Sequence, residues 1–121
     1  MKNMHRINIV YTSLFFCLLL SASLIAQSPL VNNMPASGVL GQIDFTSSTS
    51  GTTSSKLNAP SGVAVDPTTG KLFVADRYNN RVLRWSSSEK MLNGSPAEGV
   101  FGQSDFITST SGLSASKFND P

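Results

Sequence analysis

The chain has 121 residues, with 9 basic and 7 acidic side chains, one histidine and one cysteine. Lys2 and Arg6 account for the whole excess of positive charge, so residues 27–121 carry seven charges of each sign. That balance excludes a protein that is basic throughout, and nucleic acid is not an expected partner, since it calls for a clustered positive face. His5 and Cys17 also lie in the first segment, and the remainder has no thiol, disulfide or imidazole. Cysteine nucleophiles, histidine-ligated zinc and Ser-His-Asp triads lack their residues there, and no cofactor is implied.

The N-terminus places Lys2, His5 and Arg6 before a mostly apolar run, Ile7–Leu20, followed by the small and polar "SASLIAQSP". Basic, apolar and small segments in that order predict a secretory signal peptide over 1–26, helical in its apolar part, with cleavage after Ala26. Its rival is a retained anchor, because 7–26 is about long enough to span a bilayer. Export to the cell surface, periplasm or medium is the expectation, with membrane contact only through this segment. Residues 27–37 read as a short linker.

Residues 38–121 are dominated by a repeat. "GVLGQIDFTSSTSG" begins at Gly38 and "GVFGQSDFITSTSG" at Gly99, and Gly38–Pro60 matches Gly99–Pro121 at 14 of 23 positions without a gap. Low complexity explains the Ser/Thr matches but not Asp44 with Asp105, Phe45 with Phe106, or Asn58 and Pro60 with Asn119 and Pro121. Self-similarity at a fixed period marks units that bury their apolar faces only against neighbours.

Between the copies the strand pattern is direct. "SGVAVD" (61–66) and "KLFVAD" (71–76) are short and rich in Val, Leu and Phe. "PTTG" (67–70) joins them, where Pro67 presets φ and Gly70 can take positive φ, which predicts a hairpin. "RYNN" (77–80) makes the next turn and "RVLRWS" (81–86) a third strand, with a short fourth around Val100 and Phe101. The expectation is an all-β unit of four antiparallel strands, either a propeller blade or a solenoid coil. A blade takes about 40–45 residues, and the Ser/Thr/Gly stretch after each "GQxDF" is the natural place for the extra length, as an ordered rim loop.

The segment "LNAPSGVAVDPTTGKLFVADRYNNRVLRW" closely resembles an NHL repeat, a blade of NHL-type β-propellers. The match rests on Pro60, Gly62, Val63, Ala64, Val65, Asp66, Gly70, Leu72, Val74, Ala75, Asp76, Asn79, Asn80, Arg81, Val82 and Trp85. Asn80 stands where the family often has histidine. The "GQxDF" phrases resemble those of secreted bacterial NHL-repeat proteins with long blades. The resemblance implies a six-bladed ring, of which 38–121 holds one full 61-residue unit and part of the next. The chain therefore reads as the N-terminal piece of a longer protein whose remaining blades are its first partners.

Physical roles follow for these positions. Val63, Val65, Leu72, Phe73, Val74, Val82 and Leu83 belong to a sheet covered on both faces. Gly62 allows close approach near the axis. Asp66 and Asp76 open turns, Arg81 can pair with Asp76, and Trp85 fills space between blades. Asp44, Asp66, Asp76 and Asp105 lack the calcium-loop spacing, so no metal, catalytic or cofactor-binding residue is assigned. Arg77, Arg81 and Arg84, interleaved with Tyr78 and Trp85, form a small basic cluster that reads as turn and packing residues. The expected function is a non-catalytic binding or scaffold module for protein or glycan partners. Its alternatives are an extracellular lactonase, hydrolase or lyase with its active site on other blades, and a Ser/Thr-rich adhesin. A lone blade leaves its faces uncovered, so 27–121 should melt without a sharp transition. A steep two-state melt of a monomer would contradict this.

Overall fold

The computed structural model describes residues 31–88 and 91–121. The signal segment, 1–26, and the first part of the linker lie outside the described residues. The compact unit that holds the repeat is Pro35–Pro121. It is built on one four-stranded antiparallel sheet in the order β1-β2-β3-β4, comprising β1 (Pro60–Val65), β2 (Leu72–Asp76), β3 (Arg81–Trp85) and β4 (Gly99–Phe101). Chain order and sheet order coincide, as in a blade. No α-helix occurs among the described residues.

The β1–β2 hairpin closes through Asp66. Its N–H donates to the Lys71 carbonyl at 2.8 Å and its own carbonyl accepts from Gly70 N–H at 2.8 Å. Its carboxylate accepts from Thr68 N–H at 2.9 Å and from the Thr69 hydroxyl. Gly70 sits at φ 69°, the left-handed region that a side chain resists. Between β2 and β3 the chain makes one 3₁₀ turn, Arg77–Asn79, and leaves it through Asn80 at φ 50°. Asparagine is among the few residues that enter that region at low cost. We call residues 76–81 the corner.

Register decides which side chains share a face. Leu72 faces Trp85, Val74 faces Leu83 and Asp76 faces Arg81 across β2 and β3. All six are buried, and the apolar four form the core with Ala97. Leu40, Leu57, Met91, Val100 and Phe106 close over them. The alternate residues, Phe73, Ala75, Val82 and Arg84, line the other face. There Phe73 stacks on Phe101 at 6.3 Å between ring centroids, tilted by 40°.

The expected burial on both faces is not met inside this chain. β1 is exposed along its length, with Val63 at 70% and Val65 at 49% exposure. A Cβ on Gly62 would meet nothing within 4 Å among the described residues. The cause is geometric: one sheet has two faces, and the loop segments of this unit cover only part of one.

Two non-glycine residues, Ala59 and Asp120, occupy matching places before a proline and both hold φ 51°. Left-handed geometry costs an L-residue about 1–2 kcal/mol. Ala59→Gly should relieve roughly 1 kcal/mol of it and raise amide-exchange protection at Tyr78, whose N–H donates to the Asn58 carbonyl, about fivefold. Unchanged or weaker protection would show that this geometry carries no strain.

Candidate functional site

The corner is the polar centre of the unit. Asp76 and Arg81 are wholly buried and lie 2.7 Å apart, Oδ2 to Nε. Asp76 Oδ2 also accepts from Asn79 Nδ2 at 2.8 Å, and Oδ1 accepts from Asn58 N–H at 2.6 Å. Arg81 turns the rest of its fork on backbone carbonyls. Nη1 donates to Phe106 at 2.6 Å, and Nη2 donates to Thr53 at 3.0 Å and to Lys56 at 2.9 Å. Arginine has five N–H donors in a fixed plane, and four bonds leave it here. Asn79 completes the network, donating to the Gly51 carbonyl at 2.9 Å and accepting from Thr52 Oγ1 at 3.0 Å.

The partners come from two loops that share one sequence and one fold. In the first, Lys56 Nζ donates to Thr49 Oγ1 at 2.9 Å, and Gly51 N–H to the Leu57 carbonyl at 3.2 Å. In the second, Lys117 Nζ donates to Thr110 Oγ1 at 3.0 Å, and Gly112 N–H to the Phe118 carbonyl at 3.0 Å. Gly41 and Gly102 open the loops at φ 80° and 85°, and a Cβ at Gly102 would lie 3.0 Å from the Asn80 carbonyl. Arg81 touches both loops, and so ties the two copies of the repeat through one guanidinium.

The remaining acids hold turns. Ser47 and Thr46, through their side chains and backbone N–H groups, lower the Asp44 carboxyl from 3.8 to about 2. Ile107 N–H and the Thr108 side chain lower Asp105 in the same way, and the Thr69 hydroxyl and Thr68 N–H lower Asp66. Among the described residues no group of three or more His, Cys, Asp or Glu could hold a metal ion. None of their helices is long and apolar enough to cross a membrane.

The basic residues do not converge. Arg81 is buried, Arg84 Nε lies 3.1 Å from Glu98 Oε1, and Arg77 Nη2 lies 3.6 Å from Asp120 Oδ2. Arg77 also rests 5.4 Å from the Tyr78 ring centroid. Trp85 lies on the covered face, with Nε1 donating to the Ser95 carbonyl at 2.9 Å. A cleft of about 330 Å³ opens between Val63, Leu72 and Val74 on the sheet and Ser37, Leu40 and Met91 opposite, with no titratable side chain among the described residues that line it.

The structure brings Asp76, Asn79 and Arg81 together and places Asn80 beside them. Pro60, Gly62 and Val65 lie on the exposed β1, Asp66 and Gly70 in the hairpin turn, and Val82 on the opposite face. Sequence reasoning missed the acceptors of Arg81, because backbone carbonyls leave no side-chain signature. It noted Asn58 and the glutamines of the two GQxDF phrases, Gln42 and Gln103, as repeat matches but gave them no structural role. Their recurrence at the 61-residue spacing was the available signal.

The family model of the NHL repeat matches residues 57–85, from the end of the first loop through β3. No curated protein and no solved structure matches the chain. The chain therefore carries an NHL repeat, whose motif residues Asp76, Asn79 and Arg81 form the buried corner.

Removing one member of a buried ion pair strands the other charge and costs about 3–5 kcal/mol. Arg81→Met should do so and also free three carbonyls, abolishing exchange protection at Asn58. Arg81→Lys should lose nearly as much, since an ammonium cannot span these acceptors. Wild-type protection in Arg81→Lys would refute the fork as the anchor. Because the folded carboxyl of Asp44 is depressed, its contribution is complete above 3.8 and is lost as pH falls toward about 2. An NMR titration should place its midpoint near the lower figure. A midpoint at 3.8 would mean an open loop in solution.

Proposed function

We propose that this chain supplies part of an exported, six-bladed NHL propeller that acts as a non-catalytic binding or scaffold module for protein or glycan partners. One observation carries the non-catalytic side of this proposal. Four acids of the repeat are engaged in internal structure: Asp76 is neutralised by Arg81, and Asp44, Asp66 and Asp105 bind their own turns. Among the described residues, the cleft lining holds no acid, base or metal ligand. General acid–base work requires a positioned group free to exchange protons with a substrate.

Ring formation is supported by the uncovered sheet faces and by Pro121. This residue is the copy of Pro60, and its carbonyl accepts from Ser61 Oγ at 2.8 Å. The start of a second first strand thus lies against the first strand of this sheet, as stacked blades require. Partners would meet the loops and turns at the ends of the strands, because neighbouring blades take the faces. Secretion follows from the basic, apolar and small order of residues 1–26.

Two measurements test this. A glycan and protein array probed with the labelled full chain should give saturable binding, while panels of lactones and esters should show no turnover. Turnover abolished by substitution of one Asp would replace the binding module with an enzyme. A reporter fused after residue 37 should be exported, and retention in the cytoplasm would overturn the compartment.

A further inference from the structure

The two loops are alike inside and differ outside. On the second loop, one side is filled by the corner. Gln103 Nε2 donates to the Asn80 carbonyl at 2.9 Å, and the Phe106 carbonyl accepts from Arg81 Nη1 at 2.6 Å. The Ser109 carbonyl accepts from Asn80 Nδ2 at 3.0 Å, and Asp120 N–H donates to Asn80 Oδ1 at 3.0 Å. Moving back 61 residues gives Gln42, Phe45, Ser48 and Ala59 on the first loop.

At that loop the same side is empty among the described residues. Gln42 Nε2 reaches only the Thr49 carbonyl, at 3.4 Å, and its buried Oε1 has no partner. The Phe45 ring is 57% exposed, whereas Phe106 packs on the core. The loops share the lysine–threonine and glycine N–H bonds, while Gln103 Oε1 accepts from Thr110 Oγ1 of its own loop at 3.5 Å and Gln42 Oε1 has no such bond. What the corner itself adds to the second loop is an acceptor for Gln103 Nε2 and donors to the Phe106 and Ser109 carbonyls.

We propose that this side of the first loop, formed by the Gln42 amide, the Phe45 ring and the Phe45 and Ser48 carbonyls, is a docking surface for the corner of a further NHL-type repeat. The occupant is defined by the filled copy. It is a tight β-corner with asparagine and arginine at the places of Asn80 and Arg81, and with a free carbonyl at the asparagine. The docking needs only the repeat array, and stands whether or not the module binds glycans or proteins elsewhere.

The probe is a labelled hairpin peptide of residues 72–85, closed by a disulfide between added terminal cysteines, with its turn verified by NMR. Titrated into the full chain, it should bind saturably at one site. Gln42→Ala in the chain, or Asn80→Ala in the peptide, should weaken binding about fivefold or more, as expected for lost hydrogen bonds. No saturable binding, or binding indifferent to both changes, overturns the proposal and assigns any association to the open sheet face. A second measurement removes dependence on the peptide. Gly102→Val should crowd Phe118 and the Asn80 carbonyl and expel the second loop from the corner. If its sheet persists by circular dichroism, this variant should self-associate in sedimentation, and Gln42→Ala should suppress that. A folded, monomeric Gly102→Val chain would also refute the docking surface.

Discussion

The unit depends on one guanidinium. Arg81 is the member of the buried pair that reaches both copies of the loop, joining Asp76 to carbonyls on each. A buried ion pair alone is weak support for a fold, since desolvation offsets most of the Coulombic gain. This one is different because the fork replaces several hydrogen bonds to water with bonds to the protein. It also orders segments that have few apolar residues to order them. The Ser/Thr loops cannot form a core of their own, and the corner supplies the fixed charges around which they fold.

The same arrangement explains how a polar, glycine-rich stretch becomes structured. By composition such a segment reads as a flexible linker. Each copy is nonetheless held by an Asx turn at Asp44 or Asp105, a lysine folded back on a threonine, and a backbone bond from Gly51 or Gly112. The two loops meet the one corner from opposite sides. The first loop's inner side grips Asp76, Asn79 and Arg81 by way of Asn58, Gly51, Thr53 and Lys56, while the second loop's outer side meets Asn80 and Arg81. The two copies of the repeat are thereby linked by polar contacts.

The strands were legible because their cues are local. Alternation of Val, Leu and Phe, the Pro-Thr-Thr-Gly turn and the Asn-Asn exit each act within a few residues, and the observed strands begin and end within one residue of the expected spans. Asp76 with Arg81 was legible for the same reason, since five residues and one tight turn separate them. The acceptors on Thr53, Lys56 and Phe106 were not, because a carbonyl is present at every position and only folding selects which ones face Arg81. Burial of β1 is not decided by pattern alone. Val63 and Val65 have the sequence of covered strand residues, but coverage depends on neighbours that one sheet does not provide.

By itself, then, the chain's sequence determined the all-β character, the repeat period, the turn chemistry and the NHL motif, all of which follow from residue type at short range. Tertiary structure alone decided that the two written copies fold alike and that one arginine joins them. It also decided that the first copy keeps a bare side where the second is filled. The physical reason is that hydrogen bonds to backbone carbonyls, and the exclusion of water that gives them weight, depend on distances between segments far apart along the chain.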